Sequence, residues 1–488
     1  MITIKKTVNL LLENKALTII LLTAIILRFF RIDYQSLWMD ELYTLNVASP
    51  KHSFSQIISE VNLRESYPYL YFFIMNALFT LFGDTSIVVR TPSVIFGVLA
   101  VWMIYKIGKE LYSKNAGLIA ATLLTLNQYV IYHSQDGRAY TFYLFGVLLS
   151  YYCFIKFIKE DSRKNMYLYA ISAGFLLNTN FFSVLNVLSQ GFFMLFVLMT
   201  LDKNNQKAFF KKILIIIGIV FLFFIPNAYK FYLLTKLKVS WIPQASNEAL
   251  MDILKEIIGS SVYLIFIFSI LFTFFMIKVF SQKQLKNVKD FLSDKLIFSY
   301  LIIFSWITFV LLVIIVKSYT GSSIYLSRYF ISLLPPFLLA TSIAFVQIKN
   351  LMVRYSFLLL LLFFLIFDLI VVKRYYSTPL KAQFREASDM VKFYNPNKDK
   401  VYTSLKYWYS YFFNKHGQKV EVVDMPNLTV LVKEMQTNPA LLKSFWVVDG
   451  YQDIVKLSDA DQQFLDTHFR LQETYDGLGA IARHYIKK

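Results

Sequence analysis

Residues 213–232 read ILIIIGIVFLFFIPNAYKFY, and residues 355–372 form a second apolar run of similar length. A helix needs about 20 consecutive apolar residues to cross the hydrocarbon core of a bilayer. Further apolar runs lie at 16–30, 88–105, 116–131, 139–158, 166–180, 183–201, 261–280, 297–316 and 329–347. Together these runs predict an α-helical polytopic membrane protein with about eleven spans.

The composition of the 488-residue chain agrees with this prediction. Hydrophobic residues make up 57% and charged residues only 17%, whereas soluble domains carry about 25% charged residues. The net charge is 50 − 31 = +19, and basic residues that collect at the cytoplasmic ends of spans explain it more simply than nucleic-acid binding. The single cysteine, Cys153, excludes an intramolecular disulfide and any site built from four cysteines.

The distribution of basic residues predicts how the chain is oriented in the membrane. Lys5, Lys6 and Lys15 precede the first run, and no small-residue cleavage site follows it, so we expect an uncleaved signal anchor with a cytoplasmic amino terminus. The segments between spans alternate in charge, and the positive-inside rule places the basic ones in the cytoplasm. These basic segments lie at 106–114, 156–164, 203–212, 283–295 and 349–354. Everything after Lys373 is then outside the plasma membrane.

One apolar stretch, residues 69–82, does not fit the alternation because it is short for a span. We interpret it as a helix at the outer interface, within a long first outer loop at 33–89. The alternative is a true span with a miscounted neighbour.

The tail changes in composition. Residues 401–405, 420–423 and 445–448 are typical of strands, and residues 384–394 and 458–469 of amphipathic helices, the latter with Ser458 as its N-cap. We therefore predict two domains: a transmembrane domain at 1–373 and a small extracytoplasmic α/β domain at 374–488.

Ionisable residues at membrane depth are usually functional, and three clusters of them fall on the outer face of this topology. They are Ser36–Glu41, Tyr132–Tyr140 and Tyr325–Tyr329. Each also has a structural explanation: Asp40 and Glu41 could cap an interfacial helix, Asp136 could pair with Arg138, and Arg138 and Arg328 could reach lipid headgroups. Because two acids and two arginines converge on one face, we favour a single site.

These side chains suit glycosyl transfer from a lipid-phosphate donor. A carboxylate can accept the proton of an attacking hydroxyl, and guanidinium groups can hold the departing phosphate through charge-assisted hydrogen bonds. Phosphate is a good leaving group, so no cofactor is expected, although a divalent metal ion stays possible.

At these residues the chain resembles the GT-C glycosyltransferases, in particular the bacterial dolichyl-phosphate-mannose–protein mannosyltransferase type. Ser36–Glu41 is similar to that family's Leu-Trp-x-Asp-Glu segment, and Tyr132–Tyr140 to its Tyr-Tyr-Ser-Gln-Glu-Ala-Arg-x-Tyr segment. The remaining similar segments are Tyr67–Tyr71, Asp84–Ser93 and Arg328–Pro336. In this chain Tyr67 replaces the usual His and Tyr69 the usual second Pro.

The resemblance implies that Asp40 is the general base and that Asp136 is a second catalytic residue, which orients the donor or acceptor together with Arg138. It further implies substrate-binding residues, which are Glu41, Glu65, Tyr67, Arg138, Tyr140, Arg328 and Tyr329. The expected partners are a polyprenyl-phosphate sugar donor, an envelope glycan, lipid or protein acceptor, and membrane lipids, with no nucleic acid.

Three other functions stay open. A glycan ligase or polymerase that uses a lipid diphosphate is chemically close. A transporter or flippase predicts charges near mid-span and broken helices in matched halves, and neither pattern is clear. A receptor or scaffold leaves the acids and arginines of the outer loops unexplained.

Overall fold

The computed structural model describes residues 15–236, 248–281, 294–320, 326–415, 420–450 and 457–488. These residues divide into two compact units. The first comprises the chain up to Phe30 together with Val47–Arg374, and the second comprises Arg31–Asn46 with Tyr375–Lys488. The carboxyl-terminal boundary lies next to the one that composition predicts at 373/374, and the second unit also includes residues 31–46.

Helices account for nearly all of the first unit. Their bounds are α1 Lys15–Phe29, α2 Met39–Val47, α3 Phe54–Arg64, α4 Leu70–Phe82, α5 Ser86–Leu111, α6 Lys114–Leu126, α7 Gln128–Ser134, α8 Tyr140–Lys159, α9 Arg163–Leu177, α10 Ser183–Thr200, α11 Lys203–Lys236, α12 Ala249–Ile258, α13 Val262–Phe280, α14 Lys295–Thr320, a 3₁₀ helix Ser327–Leu333, α15 Leu334–Gln347, α16 Leu351–Phe367 and a π-helical turn Asp368–Val372. Of these, α2 straddles the boundary and lies mostly in the second unit.

Eight helical segments among the described residues are long and apolar enough to cross a membrane. The other three predicted spans, 16–30, 116–131 and 166–180, coincide with the shorter helices α1, α6 and α9. The prediction of a polytopic α-helical fold is therefore confirmed. The stretch 69–82 is helix α4, of 13 residues, and its interfacial position stays a prediction.

Burial separates the inner helices of the first unit from the outer ones. Within an apolar 18-residue stretch of each helix, 83% of the residues are buried in 327–347 and 72% in α8, but only 17% in 203–234. Helix α5 packs against both α6 and α8. A Cβ on Gly117 of α6 would lie 2.4 Å from the Tyr105 carbonyl oxygen of α5, so only glycine permits this approach.

The second unit contains a five-stranded sheet in the order β2-β1-β3-β5-β4. The strands are β1 Lys400–Thr403, β2 Val422–Asp424, β3 Phe445–Asp449, β4 Phe469–Gly477 and β5 Ala480–Lys487, and the helices are α17 Phe384–Tyr394, α18 Lys406–Lys415, α19 Leu428–Thr437 and α20 Asp459–His468. β1 pairs in parallel with both β2 and β3, while β5 pairs antiparallel with β3 and β4. The predicted N-cap is present, since the Ser458 Oγ accepts a hydrogen bond from the Asp461 N–H.

Candidate active site

A buried arginine of the first helix positions the loop between α7 and α8. Arg28 is fully buried, and its Nη atoms donate to the carbonyl oxygens of Leu124 and Thr125 at 3.1 and 3.3 Å. The last carbonyls of a helix lack intrahelical donors, so this guanidinium satisfies the end of α6. Asn127 follows as the N-cap of α7 and accepts from the Val130 N–H.

The same arginine holds the motif that begins at Tyr132. The Arg28 Nε donates to the Ser134 Oγ at 3.1 Å, and the Gln135 Nε2 donates to the carbonyl oxygens of Arg28 and Phe30 at 2.9 and 2.8 Å. A Cβ on Gly97 would lie 2.3 Å from the Ser134 Oγ, so a glycine in α5 is needed here. These contacts fix where the loop enters the site.

An ion pair joins two residues that the sequence singles out. The Nη1 and Nη2 of Arg138 donate to the two carboxylate oxygens of Glu65 at 2.9 and 2.8 Å. Both side chains are nearly inaccessible, with 6% and 4% exposed. The Ser93 Oγ donates to the Arg138 carbonyl at 3.2 Å, which ties the loop to α5. A bidentate, desolvated pair of this kind fixes the orientation of the guanidinium.

Tyr67 lies against this pair. Its ring centroid is 5.0 Å from the Arg138 Cζ. Burial raises the pKa of Tyr67 to about 12, although the positive charges of Arg138 and Arg328 lower it in part. The phenol is therefore neutral at physiological pH and keeps its proton. Because both arginines act on Tyr67, the structure brings the second and third sequence clusters together.

Aromatic rings surround the cluster. Tyr140 contacts both Tyr67 and His133, with ring centroids 6.2 and 4.6 Å apart. The Tyr129 hydroxyl donates to the Ser327 carbonyl at 2.7 Å, next to Arg328. Tyr329 stacks on Phe182 at 4.3 Å, and Tyr325 lies outside the described residues. The rings exclude water from the charged groups and so strengthen their electrostatic interactions.

The predicted acids differ in their environment. Asp136 is completely buried in the α7–α8 loop, and its carbonyl accepts from the Arg138 N–H at 2.7 Å. In the second unit Glu41 is also buried, and its Oε2 lies 3.2 Å from the Nζ of Lys381. Asp40, its neighbour on α2, is only half-buried. Of these three carboxylates Asp40 is the one that solvent reaches.

Sequence reasoning missed two lysines. Lys230, in the carboxyl-terminal part of α11, is buried and donates to the Asn62 carbonyl at 3.0 Å, and its charge interacts with Glu65. A charged residue at the end of an apolar run is a signal that could have identified it. Lys381, the partner of Glu41, lies in the tail with no comparable signal.

The structure also explains Asp368, whose position near the end of the last span is unusual. Its Oδ1 accepts from the backbone N–H groups of Ser260 and Ser261 at 3.0 and 3.1 Å, directly before α13. Asp368 thus accepts hydrogen bonds from the backbone N–H groups at the start of α13. Among the residues that the structure describes, no group of three or more His, Cys, Asp or Glu side chains could hold a metal ion, and metal-independent chemistry stays a prediction.

Comparison with known proteins identifies the class. Residues 66–229, which include Tyr67, Asp136, Arg138 and Tyr140, match the family model of dolichyl-phosphate-mannose-protein mannosyltransferase. The fold is similar to that of ArnT from Cupriavidus metallidurans bound to undecaprenyl phosphate, with a TM-score of 0.59 and 9% identity over 96% of this chain and 97% of that one. The chain has the GT-C glycosyltransferase fold.

A second GT-C neighbour is the archaeal oligosaccharyltransferase AglB from Archaeoglobus fulgidus, in complex with an inhibitory peptide and a dolichol-phosphate. Its TM-score is 0.52 and its identity 12%, over 97% of this chain and 74% of that one. No curated protein sequence matches the chain. The prediction of a GT-C-type membrane glycosyltransferase is therefore confirmed, and the catalytic and binding roles of individual residues stay predictions.

Proposed function

We propose that this GT-C glycosyltransferase transfers one sugar from a polyprenyl-phosphate donor to an acceptor on the outer face of the plasma membrane. The polyprenyl phosphates in the two similar structures support the donor class. The apolar helices provide a lipid-facing body for the polyprenyl chain, and the distribution of basic residues supports an outer position for the site.

The observation that carries the proposal is the cationic cluster of the first unit. Arg138, Arg328 and Lys230 bring three positive charges to the surroundings of Tyr67 and Glu65. Glu65 forms a bidentate pair with Arg138 and also interacts with the charge of Lys230. Guanidinium and ammonium groups gathered in this way suit a phosphate group, which they can bind through charge-assisted hydrogen bonds. Arg328 then binds the donor phosphate, while Asp136 and Arg138 act as positioning residues, with Glu65, Tyr67, Tyr140 and Tyr329 as further groups around the donor.

Asp40 is the proposed general base. The acceptor hydroxyl oxygen forms a bond to the anomeric carbon while the bond between that carbon and the phosphate oxygen breaks. The proton of the hydroxyl passes to the Asp40 carboxylate, and the electron pair of the broken bond leaves with polyprenyl phosphate. Glu41 is less suited to this role because Lys381 engages its buried carboxylate, so it holds α2 in place instead.

The test is transfer by the full-length protein reconstituted with polyprenyl-phosphate sugars. Asp40→Asn removes the proton acceptor, and we expect kcat to fall by about 10²–10⁴-fold with little change in donor affinity. Asp33→Asn is the matched control, because Asp33 lies in the same segment and is 52% exposed. Arg328→Ala should instead weaken donor binding. Full turnover by Asp40→Asn would contradict the assignment of Asp40 as the base. If the wild-type protein neither transferred sugar from nor hydrolysed any polyprenyl-phosphate sugar tested, the proposed function would be wrong.

A further inference from the structure

A cavity of about 540 Å³ opens in the second unit, a volume typical of small-molecule sites. It is lined by Ser404, Leu405, Lys406, Tyr407, Trp408, Ser410 and Asp424. We call it the aromatic pocket. Ser404 directly follows β1, and Asp424 is the last residue of β2. In open α/β sheets, ligands bind outside the carboxyl ends of parallel strands, and the aromatic pocket has this position.

Hydrogen bonds make one wall of the pocket rigid. The Ser404 Oγ donates to the Asp449 Oδ1 at 2.7 Å, and the Gly450 N–H donates to the same oxygen at 2.9 Å. The Tyr409 hydroxyl donates to the Asp449 carbonyl at 2.8 Å. Asp449 ends β3, so the carboxyl ends of two neighbouring parallel strands are joined beneath the pocket. A wall held in this way loses little conformational entropy when a ligand binds.

The lining has the chemistry of a carbohydrate site. Tyr407 is 47% exposed and packs edge-on against Trp408, with ring centroids 4.9 Å apart. The electron-rich face of an aromatic ring attracts the C–H groups on the apolar face of a sugar. The exposed Asp424 and Lys406 can accept from and donate to hydroxyl groups. The two charges cancel, so the lining favours a neutral polyhydroxylated ring over an anion or an apolar chain.

The pocket contacts the helix that carries the proposed base. Tyr43 of α2 packs edge-on against Trp408, with ring centroids 4.5 Å apart. Asp40 precedes Tyr43 by three residues, so the two side chains lie on the same face of α2. All of these residues belong to the second unit. A ligand in the pocket therefore lies one aromatic contact away from the helix of Asp40.

We propose that the aromatic pocket binds the carbohydrate part of the acceptor, an inference that rests on the proposed function. Tyr407 provides the stacking face, and Asp424 and Lys406 bind hydroxyl groups. The acceptor is then a glycan or a glycolipid whose sugar enters the pocket, rather than an unmodified polypeptide.

The experiment measures binding to the full-length protein in nanodiscs by saturation-transfer NMR. The probes are the methyl glycosides of glucose, galactose, mannose, rhamnose and N-acetylglucosamine, and a serine- and threonine-rich peptide. We expect at least one glycoside to bind, and Tyr407→Ala to weaken it roughly 3- to 10-fold. Tyr407→Phe should retain binding, and Asp424→Asn should reduce it. Tyr394→Ala is the matched control, because Tyr394 is 40% exposed on α17 and does not line the pocket.

Hydrolysis of the polyprenyl-phosphate sugar separates this inference from the proposed function, since water replaces the acceptor. We expect the control variant Tyr394→Ala, outside the pocket, to hydrolyse the donor at the wild-type rate. Three results would overturn the inference while donor hydrolysis stays intact. In the first, no glycoside binds; in the second, Tyr407→Ala and Asp424→Asn leave glycoside binding unchanged. In the third, the peptide binds in the pocket. Loss of donor hydrolysis in wild type itself would count against the proposed function instead.

Discussion

The buried pair of Arg138 and Glu65 allows a quantitative prediction. Two unit charges about 4 Å apart attract by about 4 kcal/mol at an effective dielectric constant of about 20, and both side chains here are almost fully buried. Removing one partner of a buried pair typically costs about 3–5 kcal/mol, because the other charge stays desolvated. Glu65→Gln and Arg138→Gln should therefore each destabilise the first unit by about that amount.

A double-mutant cycle isolates the interaction. Because the double variant removes both charges of the pair, its unfolding free energy should resemble that of either single variant, which gives a coupling energy of about 3 kcal/mol. The measurement is unfolding of the full-length protein in mixed micelles as the denaturing detergent increases. The control cycle uses Arg483 and Asp476, which are 3.6 Å apart with Asp476 64% exposed, and should give at most about 1 kcal/mol.

Additive effects in the first cycle would refute this reasoning. A coupling energy below about 0.5 kcal/mol is typical of residues that do not interact. That result would mean that Arg138 and Glu65 are not paired in the folded protein. It would also remove the positioning role proposed for Arg138, because the guanidinium would then have no fixed orientation beside Tyr67.

Three further predictions follow from local geometry. Gly117→Ala should lower the thermal stability, because its Cβ would meet the backbone of α5, whereas Gly191→Ala, which has open space, should be tolerated. Asp368→Ala should cost about 1–3 kcal/mol through two unsatisfied N–H groups, and Asp368→Asn, which keeps an accepting oxygen, should cost less. Burial raises the pKa of the Asp449 carboxyl in the folded protein. The neutral carboxyl therefore contributes to the free energy of unfolding below the unfolded pKa of about 3.9, and this contribution is lost as the pH rises through the folded pKa. Asp449→Asn should therefore raise the melting temperature at about pH 7, and the increase should become smaller towards about pH 4. The same increase in melting temperature at both pH values would contradict this assignment.

The fold was largely predictable because apolar runs and strand patterns are local signals. Helix α17 has the predicted bounds, Phe384–Tyr394, and three of the five strands lie within two residues of their predicted positions. The hairpin of β4 and β5 was missed. β4 alternates between partly and fully exposed side chains over most of its length and has only a short apolar signal of its own; its pairing with β5 defines it.

The site was less predictable because it depends on contacts between distant segments. Composition and motifs identified Glu65, Arg138 and Arg328 as candidate site residues one by one. The bidentate ion pair between Glu65 and Arg138 has no signal in the local sequence of either residue. Arg28 shows the same limit, since a basic residue at the end of a first span normally indicates a membrane boundary. Here it is a fully buried group that satisfies the end of α6 and holds Ser134.

The two adjacent acids of α2 show how one motif can divide into two roles. Trp38–Glu41 offers two adjacent carboxylates, and the family resemblance implies that Asp40 is the base. In the structure Glu41 turns inward to Lys381, while Asp40 stays half-exposed one turn before Tyr43. The ion pair between Glu41 and Lys381 and the contact between Tyr43 and Trp408 both hold α2 in place within the second unit. The proposed base and the proposed acceptor pocket are therefore held by the same set of contacts, so a change that loosens α2 should impair proton transfer and acceptor binding together.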